Sequence, residues 1–232
     1  MKKIAVMVLA VLFVAGCADQ KFKSEYRSQI HTVKVLAVVW NPKEMTYIGR
    51  EQAWAAAVGA GAGVGVGMAA GASRLTRAAL GGAGFAAGLA AGNLASMSTV
   101  DAILYNMEAA DINLGELLKK SFEEQLNATG RFKIVGENEP ADARVVLTVR
   151  SWGFALTQGF SSVVYPTIAV SGAMKREDEV VWQYSETITA LNSANIYGYT
   201  PLRYRAEPEL VRTALTGIST IVDSYLIKDL SQ

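Results

Sequence analysis

Cysteine and histidine each occur once in the 232 residues, as Cys17 and His31. A lone cysteine excludes an internal disulfide and, beside a single histidine, any zinc site of the usual Cys/His composition. His31 opens a β-patterned run with no serine, cysteine or carboxylate arranged around it, so a histidine-centred catalytic set lacks its parts. An excess of one charge is missing too. The 22 Lys and Arg against 21 Asp and Glu give a net charge of +1, which leaves no basic field for nucleic acid. No Gly-Lys-Ser/Thr occurs, so a Walker-type phosphate loop is absent. Gly59-x-Gly61-x-Gly63 has no strand pattern before it and is followed by Arg74 and Arg77 instead of an acidic residue, which argues against a dinucleotide fingerprint. Charge is absent altogether from residues 53–72 and again from 78–100. No catalytic residue, metal or bound cofactor is expected, and the chain does not read as an enzyme.

What is present begins with Lys2 and Lys3, the apolar run Ile4–Val14, and then Ala15-Gly16-Cys17. This is the layout of an export signal. It resembles a bacterial lipoprotein signal, with Val14, Ala15, Gly16 and Cys17 matching the lipobox. The resemblance implies cleavage before Cys17, a diacylglyceryl thioether on its sulfur and an acyl chain on its new amino group. Three acyl chains exceed the two signals that stable anchoring requires. Ala18 in place of Asp implies transfer to the outer membrane under the sorting rule of enteric bacteria. Residues 1–16 are then the signal peptide, and 17–30 a polar, lipidated tether.

The charge-free stretches are rich in Gly and Ala. Gly59, Gly63, Gly67 and Gly71 recur every fourth residue, as do Gly84, Gly88 and Gly92. On a helix such positions stack on one face and leave a groove without side chains. In water each Gly costs a helix about 0.8–1 kcal/mol relative to Ala, whereas in lipid the groove lets a second helix approach closely. At about 1.5 Å per residue, either stretch can cross a hydrocarbon core of roughly 30 Å. Residues 49–100 therefore read as a glycine-zipper helical hairpin, with Ser73-Arg74-Leu75-Thr76-Arg77 at its tip. Arg74 and Arg77 suit lipid phosphates on the far leaflet. A weakly apolar Gly/Ala span would also escape the translocon that stops Leu-rich helices.

The remainder reads as an α+β domain. His31–Trp40 is β-patterned and ends at Asn41-Pro42, so residues 31–48 supply a first strand. From residue 101 onward, Leu114–Leu126 has helical spacing, and Phe132–Val135, Ala143–Leu156, Thr167–Lys175 and Val180–Ala190 read as strands. Pro208 opens a last helix running to about Leu230. The expectation is a small two-layer sandwich of about five strands and two helices, with the hairpin inserted after the first strand. The carboxylates Glu123, Glu124 and Glu177–Glu179 read as solvated surface. Leu191–Arg205 reads as a long loop whose Tyr197, Tyr199, Tyr204, Arg203 and Arg205 suit a partner or lipid headgroups.

With its lipobox, its four-residue glycine periods and its basic connection, the chain resembles the glycine-zipper outer-membrane lipoproteins of the SlyB-like group. Its overall plan also resembles the TraT-like surface-exclusion lipoproteins, in which the hairpin comes later, and its C-terminal domain bears a faint likeness to CsgG-like lipoprotein domains. These resemblances imply a non-enzymatic outer-membrane lipoprotein that forms a homo-oligomer through the zipper and serves envelope integrity. Its soluble domain would lie in the periplasm, with membrane lipids and other envelope proteins as partners. A subunit of a secretion accessory or pore and a surface-exclusion role are the alternatives they leave open.

Overall fold

The computed structural model describes residues 19–49, 97–157 and 162–232. The expected signal peptide, Cys17 and nearly all of the expected hairpin lie outside these residues.

The longest strands follow from strict alternation. In β4 (Ala143–Leu156), Ala143, Val145, Leu147 and Val149 are buried while Arg144 is exposed. A bulge between Val149 and Ser151 then adds one residue, which shifts the phase and keeps Trp152 and Phe154 in the core. The strand β5 (Val164–Arg176) buries Val164, Ile168, Val170 and Met174, and turns through Glu177-Asp178 into β6 (Glu179–Ile188). Both pairings of β5 are antiparallel.

Residues 32–48 run along the other edge of β4 as an interrupted strand. β1 (Thr32–Val35) pairs parallel with β4 at Ala143–Val145, and β2 (Met45–Ile48) does so at Trp152–Ala155. A single bridge, Val39 to Thr148, lies between them. The interruption comes from Asn41-Pro42. Asn41 accepts from the Lys43 amide and starts a short 3-10 turn, Pro42–Glu44, that no ladder accommodates. β2 regains the sheet only because residue 153 is glycine: a Cβ there would meet the Thr46 carbonyl oxygen at 1.8 Å. The short β3 (Lys133–Ile134) pairs parallel with β1 and completes a six-stranded mixed sheet in the order β3-β1-β4-β5-β6, with β2 beside β4.

Four α-helices are present among the described residues: α1 (Thr99–Ala109), α2 (Leu114–Ala128), α3 (Pro201–Ala206) and α4 (Pro208–Leu230). The first two begin at side-chain caps, Ser98 to the Asp101 amide and Asn113 to the Glu116 amide. α2 buries Leu114, Leu118, Phe122 and Leu126, and α4 buries Val211, Leu215, Ile218, Val222 and Leu226, in one core with the inward side chains of β4–β6. α4 is long and apolar enough to cross a membrane by composition, yet it packs on α2, β5 and β6 as the main core helix.

The α+β class is as expected, and the strand and helix numbers are larger. The sheet has six strands because the first strand is split and β2 is a separate piece. The additional helices are α1, which overlaps the end of the apolar stretch, and α3, which forms from the last residues of the expected loop Leu191–Arg205 and Ala206.

Candidate functional site

The stretch expected as a lipidated tether is docked along its described length, from Asp19 onward. Gln20 exchanges backbone hydrogen bonds with Gln183 at 2.6 and 2.8 Å, and the Lys23 amide donates to the Val181 carbonyl at 3.0 Å. Residues 19–23 therefore extend the sheet beyond β6 and cover its open edge. Asp19 accepts from the Ser185 amide at 3.0 Å. Lys23 and Tyr26 both bond the Glu179 carboxylate, which holds its pKa below the ordinary range. Phe22 and Ile30 are buried; Phe22 meets Phe132 edge-on at 6.2 Å, and the Arg131 guanidinium lies 4.7 Å above the Phe22 ring. Burial pulls the Arg131 pKa down, and nearby Arg27 adds to this.

This strap also closes on the end of the chain. Trp182 donates from Nε1 to buried Asp229 Oδ1 at 3.0 Å, and Lys21 pairs with the other carboxylate oxygen. Arg131 donates to the Leu230 carbonyl at 3.0 Å, and Arg27 to that of Gln232. Segment, sheet edge and C-terminal helix are one unit.

At the opposite end of the sheet, Leu191–Arg205 is fixed to the domain. Asn195 donates to the Pro166 and Thr189 carbonyls at 2.8 and 3.1 Å, and Tyr199 exchanges backbone bonds with Val164. The Tyr197 ring lies over Gly217 of α4, so close that a Cβ there would be 2.0 Å from it. Tyr204 is fully buried against Phe154, with ring centroids 4.6 Å apart, and burial raises its pKa. Arg203 forms two parallel bonds to Glu207, at 2.9 and 2.8 Å. Leu191, Ile196 and Leu202 remain 77, 75 and 71% exposed.

A surface cleft of about 410 Å³ lies between Trp40–Lys43 and α1, with Trp40, Met107 and Ile112 as apolar walls and Lys43, Glu108 and Asp111 on its rim. Trp40 is pinned there by Gly115, which leaves room for the indole 2.7 Å from where a Cβ would sit, and by an edge contact to Trp152 at 5.9 Å.

One buried ionisable group stands apart. Asp223 of α4 faces α2 with both oxygens lacking a hydrogen-bond partner. Its burial raises its pKa well above the carboxylate range, and the Ser121 hydroxyl nearby offsets this only in part. Ser121 itself receives a bond from Gln125 at 3.1 Å.

Of the residues singled out by sequence, Val14–Cys17, the seven zipper glycines, Arg74 and Arg77 lie outside the described residues. His31 is at the mouth of β1, where its backbone amide donates to Asp142 at 2.9 Å. Lys119 and Glu123, and Lys120 and Glu124, face each other at 3.9 Å along α2. Among the described residues, no three His, Cys, Asp or Glu side chains are grouped to hold a metal.

No family model matches the chain. No curated protein matches it either. Solved structures similar to it include protein XCC0632 from Xanthomonas campestris, of the family model DUF330. The TM-score is 0.34 at 17% identity, over 51% of this chain and 63% of that one. A PelC dodecamer from Paraburkholderia phytofirmans gives 0.34 at 17% identity, over 50% and 72%. A minor lipoprotein from Acinetobacter baumannii gives 0.28 at 12%, over 49% and 85%. The chain thus spans 63% of the length of the XCC0632 chain.

Proposed function

We propose that this chain is an exported, non-enzymatic envelope lipoprotein, anchored through acyl chains on Cys17 in the outer membrane with its α+β domain in the periplasm. It self-associates through the glycine faces of residues 53–100 and serves a structural role in the envelope, and Arg74 and Arg77 bind lipid phosphates.

The observation that carries the reading is the coincidence of the lipobox with the docked strap. Cys17 precedes Asp19 by two residues, and Asp19 already bonds the domain. An anchor at that position holds the whole folded body at the membrane, since two extended residues span no more than about 7 Å. Three charged clusters hold the fold itself together: Glu179 with Lys23, Glu207 with Arg203, and Asp229 with Lys21 and Trp182.

The test is metabolic labelling of the full chain with an alkyne-bearing palmitate in a Gram-negative host, together with membrane fractionation. The expected result is a labelled protein in the outer-membrane fraction, with label lost and the signal peptide retained in Cys17→Ser. An unlabelled wild-type protein, or a periplasmic one of mature size, overturns the reading.

A further inference from the structure

The strand directions divide the domain into a charged end and an uncharged end. β2, β4 and β6 all finish, and β5 begins, at the same end of the sheet, because β2 is parallel to β4 while β5 is antiparallel to both β4 and β6. Ile48, Ala155 and Tyr165 lie in one register row there, and Leu156, Val164 and Tyr199 in the next. No charged residue occurs in residues 151–174, nor in 187–202. At the other end, the β5–β6 turn is Lys175-Arg176-Glu177-Asp178-Glu179, and Arg144 starts β4. The charges are therefore sorted along the strands.

Exposed apolar side chains are sorted the same way. Among the described residues, the large exposed hydrophobics are Val39, Ile48, Leu191, Ile196, Leu202 and Tyr225. Ile48 is at the uncharged end of β2. Ile196 follows Asn195, which bonds the Pro166 carbonyl, and Leu202 follows Tyr199 by three residues. Leu191 begins the same loop after β6. Only Val39 and Tyr225 lie elsewhere.

The strap points to what covers this end. It runs antiparallel to β6: Lys23 is beside Val181, Gln20 beside Gln183, and Asp19 beside Ser185. Traced backwards towards Cys17, the chain thus heads for the uncharged end. The described chain before the Gly/Ala stretch reaches that end as well, since Ile48 pairs with Ala155 and Gly49 follows it.

From this convergence we infer that Ile48, Leu191, Ile196 and Leu202 form a lipid-contacting surface that rests on the bilayer carrying the anchor, with the β5–β6 turn pointing away. The partner is a phospholipid surface at its headgroup–acyl boundary, where exposed aliphatic side chains gain from burial and tyrosines sit with one end wet. The nearest charge, Arg203 beside Leu202 and 5.0 Å over the Tyr199 ring, is neutralised by its two bonds to Glu207, which lowers the cost of bringing it to the boundary. The inference rests on lipidation at Cys17, and the experiment separates the two.

The full lipidated protein is reconstituted in vesicles of phosphatidylethanolamine and phosphatidylglycerol. Because Cys17 is the only native cysteine and its sulfur is acylated, one new thiol can be labelled selectively with an environment-sensitive fluorophore. Leu191→Cys, Ile196→Cys and Leu202→Cys are compared with Asp178→Cys, all at exposed positions where folding is not at stake. The expected result is a blue-shifted emission at 191, 196 and 202, with several-fold stronger quenching by shallow doxyl-labelled lipid than at 178. Equal, weak quenching at all four positions in protein that floats with the vesicles overturns the inference and leaves the anchoring intact. A blue shift without lipid quenching overturns it in favour of contact with another protein copy. Protein that carries no acyl chain and does not float overturns the anchoring reading and this surface with it.

Discussion

Trp182 and Asp229 are bound to each other across the sheet–helix boundary, indole nitrogen to carboxylate oxygen at 3.0 Å, and both are buried. The bond fixes the last turn of α4 on β6 beneath the docked strap. Gly172 on the neighbouring strand makes this position of Trp182 available, since a Cβ there would be 2.7 Å from the indole ring.

Trp182→Phe keeps most of the apolar volume and removes the donor. A buried carboxylate oxygen that loses its partner costs about 1–3 kcal/mol. The unfolding free energy should fall by that amount, read as a lower urea midpoint with an unchanged slope. An unchanged midpoint would mean that Lys21 alone satisfies Asp229.

Gly217→Ala sets two effects against each other. Within a helix the change is worth up to about 1 kcal/mol in favour of Ala. The new methyl, however, would lie 2.0 Å from the Tyr197 ring, which must leave. Because the aromatic contact ties the 191–200 loop to α4, the local effect should exceed the global one. Limited proteolysis should cut the loop of the variant much faster, while the unfolding free energy changes by less than about 2 kcal/mol. A loop as resistant as in the native protein would show that Asn195 and Tyr199 hold it without Tyr197.

The pH dependence of stability should carry the signature of Asp223. Desolvation keeps this carboxyl protonated to a pH well above its ordinary range. The unfolded chain releases the same proton near a pKa of about 3.9. Below that value the contribution is complete. Between the unfolded and folded pKa values the unfolded chain binds fewer protons, so stability falls as pH rises, by at most about 1.4 kcal/mol per pH unit. Asp142 and Glu179, whose pKa values are depressed by hydrogen bonds, act in the opposite sense, and stability from them is lost on acidification. Both remain in Asp223→Asn, so the difference between the two proteins isolates Asp223. The variant should gain on the native protein as pH rises above the ordinary carboxylate range, until the folded carboxyl ionises, in urea titrations. Parallel profiles would show the carboxyl to be ionised and hydrated.

The elements readable from sequence are those whose own residues carry a long period. β4 and α4 match their expected ranges because alternation over residues 143–149 and helical spacing over 210–226 leave no second interpretation. β2 was not legible: it is short, half-buried, and held by a neighbour's missing side chain at Gly153. α1 was hidden because its apolar residues continue an apolar stretch, although Ser98 three residues before Asp101 is a cap signal. Thr200-Pro201 is a similar signal for α3. The strap read as a free tether because its polar residues dominate, and only Phe22 and Ile30 betray docking. Asp223 and the uncharged end depend on which strands and helices meet, which no local pattern reveals.

The glycine faces make the last prediction. If Gly63 and Gly88 lie in helix–helix contacts within lipid, a leucine at either position blocks close approach without reducing apolarity. The mature protein in mild detergent should therefore form a discrete oligomer by light scattering, and Gly63→Leu with Gly88→Leu should reduce it to monomer while membrane association persists through Cys17. The same pair should leave the urea midpoint of the α+β domain unchanged, because its core is built from residues 22–47 and 103–230. A native protein that is already monomeric would remove self-association from the proposed function. An oligomer that survives both leucines would move the contact to the sheet face or to the exposed apolar end, and labelling at Leu191→Cys and Ile196→Cys would then decide between those surfaces.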